Sequence, residues 1–292
     1  MTRFKAILLI AMLALMSFMG VLFLIPEDVN AEEYVSGSIS SDTTWTQTNS
    51  PYIVIGNVTV ESGVTLTIEP GVEVKFNGSF SLIVNGTLNA TGTSSAPINF
   101  TSNQTTPSKG DWESIRLQGP NNTLDYCQIS YGNYPLYING SNTNNSIKNC
   151  TIFNNTGDGI YLNNTTFNTL VNITLVSNDK NGISLIFSEN NTIRNSLIMQ
   201  NNGSGIFLNS SDNNYIENSN ISYNDQDAVY LEESNENSLT YNILFNNTKT
   251  GINLTSSSSN NTIMYNNITS NNDTGILITG NSDSNEIVQN DI

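Results

Sequence analysis

The sequence predicts an all-β fold, a parallel β-helix (solenoid) with about 23 residues per coil and roughly ten coils. Two observations carry this prediction: apolar residues recur at a fixed period, and they come in short bursts separated by Asn, Gly and Ser. The period is clearest in one column of equivalent positions, whose step is 23 residues five times and then 24 twice. Its members are Leu124, Ile147, Leu170, Ile193, Ile216, Leu239, Ile263 and Ile287.

The short apolar bursts favour strands over helices. An amphipathic helix needs apolar positions sustained over about 12 residues. The bursts here suit about three strands of three to five residues per coil. Further columns run through Ile198, Ile206 and Leu208, and we expect all four columns of the repeat to form a core that neighbouring coils cover.

Asparagine, with 50 of the 292 residues, recurs at fixed phases. The columns of Asn191 and Asn201 predict coil corners, because Asn tolerates a left-handed backbone. Stacked Asn amides also form hydrogen-bonded ladders. A glycine column that includes Gly205 predicts corners where a side chain or a negative φ does not fit. Ala228 interrupts this column, which indicates that φ there is not strictly positive.

The chain divides into four segments. Residues 1–31 combine Arg3 and Lys5 with an apolar stretch and small residues before Ala31, which predicts a signal peptide or an N-terminal anchor. Residues 32–50 form a polar lead-in, 51–123 irregular N-terminal coils, and 124–292 regular repeats. The leader predicts an exported protein, secreted or at the cell surface. The repeat stops mid-coil at Ile292, so we expect a fragment of a longer chain.

Composition excludes several function classes. The chain has 25 acidic and 9 basic residues, a net charge of -16, which argues against nucleic acid as a partner. It contains no His, the commonest general base and metal ligand. We therefore expect no obligatory cofactor.

The motif N-x-I-x-N…I-x-x-N…G-I-x-L, as in Asn191 to Leu208, resembles the repeats of right-handed parallel β-helix proteins of the carbohydrate-binding and sugar-hydrolase group. That group includes pectate-lyase-like enzymes and NosD-type copper-site maturation proteins. The resemblance covers residues 124–292 and, more loosely, 52–117, and it implies a right-handed coil. The copper role is disfavoured, because His is missing and Met199 and Met264 stand in different columns.

The resemblance also implies two enzyme classes, lyases and hydrolases, whose site residues can be sought in this sequence. Lyases of the group use Ca²⁺ with acidic ligands and an Arg or Lys base, and hydrolases need two carboxylates. The repeat cations are scattered, but acidic residues gather between Asp225 and Glu236. A lyase or glycoside hydrolase acting there is one hypothesis, with Asp225, Asp227, Glu232 and Glu233 as weak catalytic candidates. Asp225 and Asp227 are also weak Ca²⁺ candidates, and a solvated corner explains them equally well.

The favoured hypothesis is a non-catalytic surface protein, a glycan-binding or adhesive rod, whose partner is a polysaccharide or cell-surface glycan. In the Gly-Ile-x-Leu strand the x residue should point outward. That column contains Tyr161, Phe207 and Tyr230, which suit stacking against sugar rings. The plainer explanation is that aromatic residues favour sheets.

Two smaller patterns remain. Cys127 and Cys150 lie 23 residues apart, so they occupy the same phase of adjacent coils. A disulfide and a pair of stacked free side chains both fit this spacing. Asn-x-Ser/Thr sites are frequent, and glycosylation is a further hypothesis. Candidate sites include Asn57, Asn85, Asn139, Asn209 and Asn253.

Overall fold

A computed structural model describes residues 32–140 and 143–292 of the chain. These residues form an all-β parallel solenoid of 11 turns, as counted from one continuous 11-stranded sheet. Apart from a 3-10 helix at Gln47–Asn49, they form strands and turns. No helix among them is both long and apolar enough to span a membrane. The predicted leader, residues 1–31, lies outside the described residues.

Each regular coil contributes three short strands, so three columns of strands run along the solenoid, and every strand-to-strand pairing is parallel. In the first two coils the strands β1 (Glu33–Ile39) and β3 (Tyr52–Val60) are long enough to serve two columns.

The first column otherwise consists of β5 (Glu73–Phe76), β8 (Ile98–Ser102), β11 (Cys127–Ser130), β14 (Thr151–Phe153), β17 (Thr174–Val176), β20 (Leu197–Met199), β23 (Asn220–Ser222), β26 (Ile243–Phe245) and β29 (Asn267–Thr269). The second column, called the groove column below, consists of β6 (Ser81–Val84), β9 (Ser114–Leu117), β12 (Leu136–Asn139), β15 (Ile160–Asn163), β18 (Ile183–Ile186), β21 (Ile206–Asn209), β24 (Val229–Glu232), β27 (Ile252–Thr255) and β30 (Ile276–Ile278). The third column consists of β2 (Thr43–Trp45), β4 (Thr65–Ile68), β7 (Thr87–Thr91), β10 (Thr123–Asp125), β13 (Ser146–Lys148), β16 (Thr169–Val171), β19 (Thr192–Arg194), β22 (Tyr215–Glu217), β25 (Ser238–Thr240), β28 (Thr262–Met264) and β31 (Glu286–Val288).

The predicted core is confirmed. Ile193, Ile198, Ile206 and Leu208 are fully buried, and each stacks on the equivalent residue of the neighbouring coil. Burial alternates along the strands, so that β15 and β21 bury their first and third residues and leave the others half-exposed. The apolar interior therefore continues from coil to coil without a break.

The backbone conformation of the corners was predicted only in part. The ladder residues Asn191 and Asn201 are buried and do not have positive φ. Instead, the residue before each one is left-handed: Asn190 has φ of 56° and Gln200 has φ of 55°. The assignment of left-handed corners to the ladder Asn residues was therefore wrong by one position. The left-handed residue turns the chain, and the next residue points inward.

The predicted amide ladder is present. The side-chain amide of Asn201 donates to Oδ1 of Asn224 at 3.0 Å, and the backbone N–H of Asn201 donates to the same oxygen at 3.1 Å. Asn191 bonds to Asn214 in the same way. Each ladder thus contributes one Asn per coil, which satisfies a buried corner and links it to the next coil.

The glycine column has a steric cause. Gly205 does not have a positive φ, so the negative-φ part of the prediction was wrong, as Ala228 had suggested. A Cβ at Gly205 would overlap the γ2 methyl of Ile221 and lie 2.7 Å from the carbonyl oxygen of Ala228. The coils approach so closely here that hydrogen is the largest substituent that fits without movement.

The solenoid begins earlier than the sequence indicates. Residues 33–39 and 43–45, taken as part of a polar lead-in, form β1 and β2 and pair with the following coil. Trp45 is buried, and its ring stacks on Tyr52 with centroids 4.7 Å apart. The weak apolar pattern of this segment reflects a first coil that covers the core from one side.

Candidate functional site

The groove column presents a row of polar and aromatic side chains to solvent. Arg116 on β9 pairs with Tyr137 on β12, which pairs with Tyr161 on β15. The neighbours of Arg116 in its strand, Ile115 and Leu117, are fully buried. Because successive side chains of a strand point to opposite faces, the side chains of Arg116, Tyr137 and Tyr161 project outward at successive coils.

The two tyrosine rings stack on each other. Their centroids are 5.3 Å apart, and their planes differ by 12°. Asn163 donates a hydrogen bond to the Tyr137 hydroxyl at 3.1 Å. The Arg116 guanidinium lies over the Tyr137 ring, 5.8 Å from its centroid, while its Nε donates to Ser114 Oγ at 2.9 Å. A cation thus flanks one end of a fixed aromatic pair.

A second cation lies on the other side of the pair. Lys180 Nζ donates to the Tyr134 hydroxyl at 3.0 Å and lies 5.1 Å from the centroid of that ring. The hydrogen bond with Tyr134 is the main cause of a raised pKa for Lys180, so the ammonium stays charged at neutral pH. The Tyr134 ring meets Tyr161 edge-on, with centroids 6.2 Å apart.

Two carboxylates complete the site. Glu113 faces Arg116 at 3.5 Å and accepts a hydrogen bond from Asn133 at 3.2 Å. Asp158 is buried, and its Oδ1 accepts the backbone N–H of Asn181 at 2.9 Å. Burial raises the pKa of Asp158, and the hydrogen bond from Asn181 opposes that rise.

These side chains line an open groove of about 480 Å³. The lining residues are Glu113, Arg116, Tyr134, Tyr137, Asp158, Tyr161 and Lys180. We call this the first groove. Two of the chain's nine cations meet here beside a stacked ring pair, although the chain as a whole carries a net charge of -16. The arrangement suits a flat, partly apolar ligand that carries negative charge.

Of the aromatic residues singled out in the sequence, the structure places Tyr161 in the first groove. Phe207 and Tyr230 lie two and three coils further along the same column. Sequence reasoning missed Arg116, Tyr137 and Tyr134. The aromatic column was read from Gly-Ile-x-Leu strands, and neither β9 nor β12 has that motif. Extending the column upward by register would have found Tyr137 and Arg116.

The acidic candidates do not converge. Asp227 lies shortly before strand β24, and Glu232 is the last residue of that strand. Glu232 accepts a hydrogen bond from Asn209 at 2.9 Å. Glu233 occupies a left-handed corner with φ of 49°, and Asp225 is exposed at another corner. Among residues 32–140 and 143–292, no three His, Cys, Asp or Glu side chains form a group suited to a metal ion. The Ca²⁺ hypothesis stays a prediction resting on Asp225 and Asp227.

The cysteines lie where the repeat placed them. Cys127 and Cys150 are buried free thiols in adjacent coils, at a corner position that Asn242 and Asn266 occupy further along. Burial raises the pKa of Cys127 well above its usual value, so this thiol is protonated at neutral pH. The stacked free pair is the arrangement described, and the disulfide stays a prediction.

Two of the glycosylation candidates are engaged within the fold. The amide nitrogen of Asn209 donates to Glu232 at 2.9 Å, and that of Asn253 donates to Asp227 at 3.3 Å. A glycan would be attached to this same nitrogen. Asn57 uses its side-chain oxygen to accept the backbone N–H of Ser81 at 2.9 Å. Glycosylation at these sites and at Asn85 and Asn139 stays a prediction.

Comparison with known protein families agrees with this architecture. Residues 172–292 match the family described as "Right handed beta helix region", and residues 37–132 match "Pectate-lyase like beta helix domain". The chain folds as a right-handed parallel β-helix. Both matches fit the pectate-lyase-like group that the repeat motif resembles.

Solved structures with the same fold include two epimerases. The β-helix is similar to a variant of the periplasmic alginate epimerase AlgG, with 16% identity and a TM-score of 0.56, over 81% of this chain and 66% of that one. It is also similar to the A-module of the mannuronan C-5 epimerase AlgE4 of Azotobacter vinelandii, with 13% identity and a TM-score of 0.57, over 90% of this chain and 86% of that one. At these identities the likeness shows the fold alone.

The chain is also similar to two proteins that are not named as epimerases. The Dettilon tailspike protein gp208 has 13% identity and a TM-score of 0.51, over 84% of this chain and 61% of that one. Protein bark beetle of Drosophila melanogaster is 38% identical over 72 residues, which are 25% of this chain and 2% of that protein. The β-helix thus spans a very small part of this relative's length, and the match concerns a stretch of repeats.

Proposed function

We propose that this β-helix is an exported, non-catalytic protein that binds an acidic polysaccharide in the first groove. The observation that carries the proposal is the stacked pair Tyr137–Tyr161 in one groove with the cations of Arg116 and Lys180. Sugar rings have apolar C–H faces that pack on aromatic rings, and carboxylate or sulfate groups pair with Arg and Lys. The similar epimerases are named for alginate and mannuronan, which are acidic polysaccharides.

The cations decide which sugars are favoured. A chain with a net charge of -16 repels an anion at long range, so local cations must supply the attraction. Arg116 faces solvent with its guanidinium half-exposed, and its single carboxylate partner, Glu113, is 3.5 Å away. This weak pairing leaves donors of the guanidinium free for a ligand carboxylate.

The test is retention of the full chain on polysaccharides. Affinity electrophoresis in gels that contain alginate, polygalacturonate or neutral dextran should show retention by at least one acidic probe and not by dextran. The variant Tyr137→Ala/Tyr161→Ala should lose on the order of tenfold in affinity, the usual scale for truncating a buried aromatic contact. Tyr215→Ala, which removes an exposed ring from the third strand column, is the matched control and should behave as wild type.

Two outcomes would reject the proposal. Equal affinity of the tyrosine variant and the Tyr215→Ala control would remove the groove from binding. Equal retention by dextran and the acidic probes would remove the role of the cations. Arg116→Gln and Lys180→Gln, which remove the positive charge and keep a polar side chain, should each reduce retention by the acidic probes.

The alternative function is catalysis. Its candidate site is now the first groove, and no longer the Asp225–Glu236 region. Asp158 and Glu113 lie two coils apart in one column, about 10 Å at the strand spacing, near the separation in inverting glycosidases. The raised pKa of Asp158 suits a general acid. Against this, Asn181 fills the same position in the next coil, and its Oδ1 accepts a backbone N–H just as that of Asp158 does. Depolymerisation of alginate or polygalacturonate by the full chain, lost in Asp158→Asn, would establish the enzyme and overturn the non-catalytic role.

A further inference from the structure

The first groove has a near-copy three coils further along the same face. Asp158, Tyr161 and Lys180 each have a counterpart 69 residues later, at Asp227, Tyr230 and Lys249. Tyr137, the other ring of the pair, has its counterpart at Phe207, the residue that pairs with Tyr230 in the groove column. Three coils correspond to about 14 Å along the solenoid.

The copy reproduces the geometry as well as the residue types. The rings of Phe207 and Tyr230 stack with centroids 5.2 Å apart and planes 27° from parallel. Asp227 is buried, and its Oδ1 accepts the backbone N–H of Thr250 at 2.9 Å, as Asp158 accepts that of Asn181. The four side chains, with Ser204 and Gln226, line an open groove of about 280 Å³, called the second groove.

The two grooves differ in what surrounds the shared parts. The positions of Arg116 and Glu113, one coil before the ring pair, are occupied by Ser184 and Asn181 in the second groove. Tyr134, which holds Lys180 by a hydrogen bond, is replaced by Ser204. Within the part of the chain that the structure describes, Lys249 has no ion-pair partner. The second groove therefore has one cation and one carboxylate beside its ring pair, where the first groove has two of each.

We propose that the second groove is a second sugar-binding site and that a single polysaccharide chain, running along the solenoid axis, occupies both grooves. This inference rests on the proposed function of the first groove and extends it to a two-site surface. Both ring pairs project from the same strand column, so a ligand that follows the column meets them in sequence. Two linked contacts on one ligand bind more tightly than either alone, because the second contact forms at high effective concentration.

A length series tests the two-site surface. Size-fractionated fragments of whichever acidic probe is retained, alginate or polygalacturonate, are titrated into the full chain by calorimetry. Some fragments are at least about one sugar too short to bridge the 14 Å between the two grooves, and these should bind with the affinity of a single site. Fragments that span both grooves should bind on the order of a hundredfold more tightly. Tyr230→Leu/Lys249→Gln should abolish this gain and leave the affinity for short fragments at the first groove unchanged.

The outcomes separate the two proposals. Longer fragments also offer more registers, but wild type and the second-groove variant share that statistical gain, so only the ratio between them matters. If short and long fragments bind and the variant keeps the full length dependence, the two-site inference is overturned while the first groove stands. If no fragment binds wild type, the proposed function itself fails. Leu at position 230 keeps an apolar side chain over the strand, and an unchanged thermal midpoint confirms folding.

Discussion

At the scale of single residues, each ladder corner is formed by two consecutive residues with different roles. A left-handed residue turns the chain, and the next residue points inward and bonds to its equivalent in the adjacent coil. Asn201 shows how many hydrogen bonds one ladder residue makes. Its Oδ1 accepts both the backbone N–H and the side-chain amide of Asn178, and its own amide donates to Asn224 and to the carbonyl of Leu175.

Asn201→Ala should therefore be among the most destabilising substitutions outside the apolar core. It leaves buried donors and acceptors of two neighbouring coils without partners, at a cost of about 1–3 kcal/mol per group. We expect a loss of about 3 kcal/mol in the free energy of unfolding, measured by urea titration. The exposed neighbour, Asn202→Ala, is the control and should change stability by less than about 0.5 kcal/mol. Equal effects of the two variants would refute the ladder's role.

Asp158 provides a residue-scale prediction with a pH dependence. Burial raises its pKa in the folded state above the unfolded value of about 3.9. The folded chain therefore binds this proton more tightly, and the carboxyl destabilises the fold increasingly as pH rises through the folded-state pKa. Asp158→Asn keeps the oxygen that accepts the Asn181 N–H and removes the charge.

We expect Asp158→Asn to be more stable than wild type at neutral pH and equal to it below pH of about 4. Urea unfolding over a pH series measures the difference. The half-buried Asp179, whose partner is Lys109 at 2.6 Å, gives the control variant Asp179→Asn, for which no such gain is expected. A less stable Asp158→Asn at neutral pH would show that the carboxylate charge supports the fold.

At the scale of strands and corners, most of the fold could be predicted because each coil repeats the same physical problem. The inward Ile and Leu columns were identified by period alone, since core positions admit few residue types. The groove column was harder to complete. Arg116 and Tyr137 lie outward on β9 and β12, where no neighbour dictates the residue and no motif marks the position. Asp158 resembles any other turn aspartate in the sequence.

The glycine column shows what sequence alone could not separate. Glycine serves both positive φ and close approach, and the sequence cannot distinguish these two demands. The structure assigns Gly205 to close approach, because a Cβ there would meet Ile221 and the Ala228 carbonyl. Ala228 holds the same column position, where the residue equivalent to Ile221 is Leu244.

Gly205→Ala should cost at least about 1–3 kcal/mol in the free energy of unfolding, because the added methyl forces the coil apart in a well-packed core. The reverse change in the same column, Ala228→Gly, creates no overlap and should cost only about 0.5–1 kcal/mol through the flexibility it adds to the unfolded chain. Urea titration of both variants checks the pair. A neutral Gly205→Ala would mean that the coils can separate freely at this corner.

At the scale of the whole molecule, the proposed binding surface consists of outward positions that the repeat does not need for the fold. The core columns, ladders and close glycines account for the fold, and they recur with few exceptions along the regular coils. The first groove and its near-copy are the departures from uniformity on the groove column. They place ring pairs and cations at a three-coil spacing on one face. The two grooves together therefore form an extended binding surface in our proposal, and not a single pocket.

A crystal structure of the full chain with an acidic oligosaccharide long enough to span both grooves tests this claim most directly. We expect a sugar chain along the solenoid axis, with rings against Tyr161 and Tyr230 and acidic groups within hydrogen-bonding distance of Arg116 and Lys180. An oligosaccharide bound on either of the other two strand columns, with both grooves empty, would contradict it.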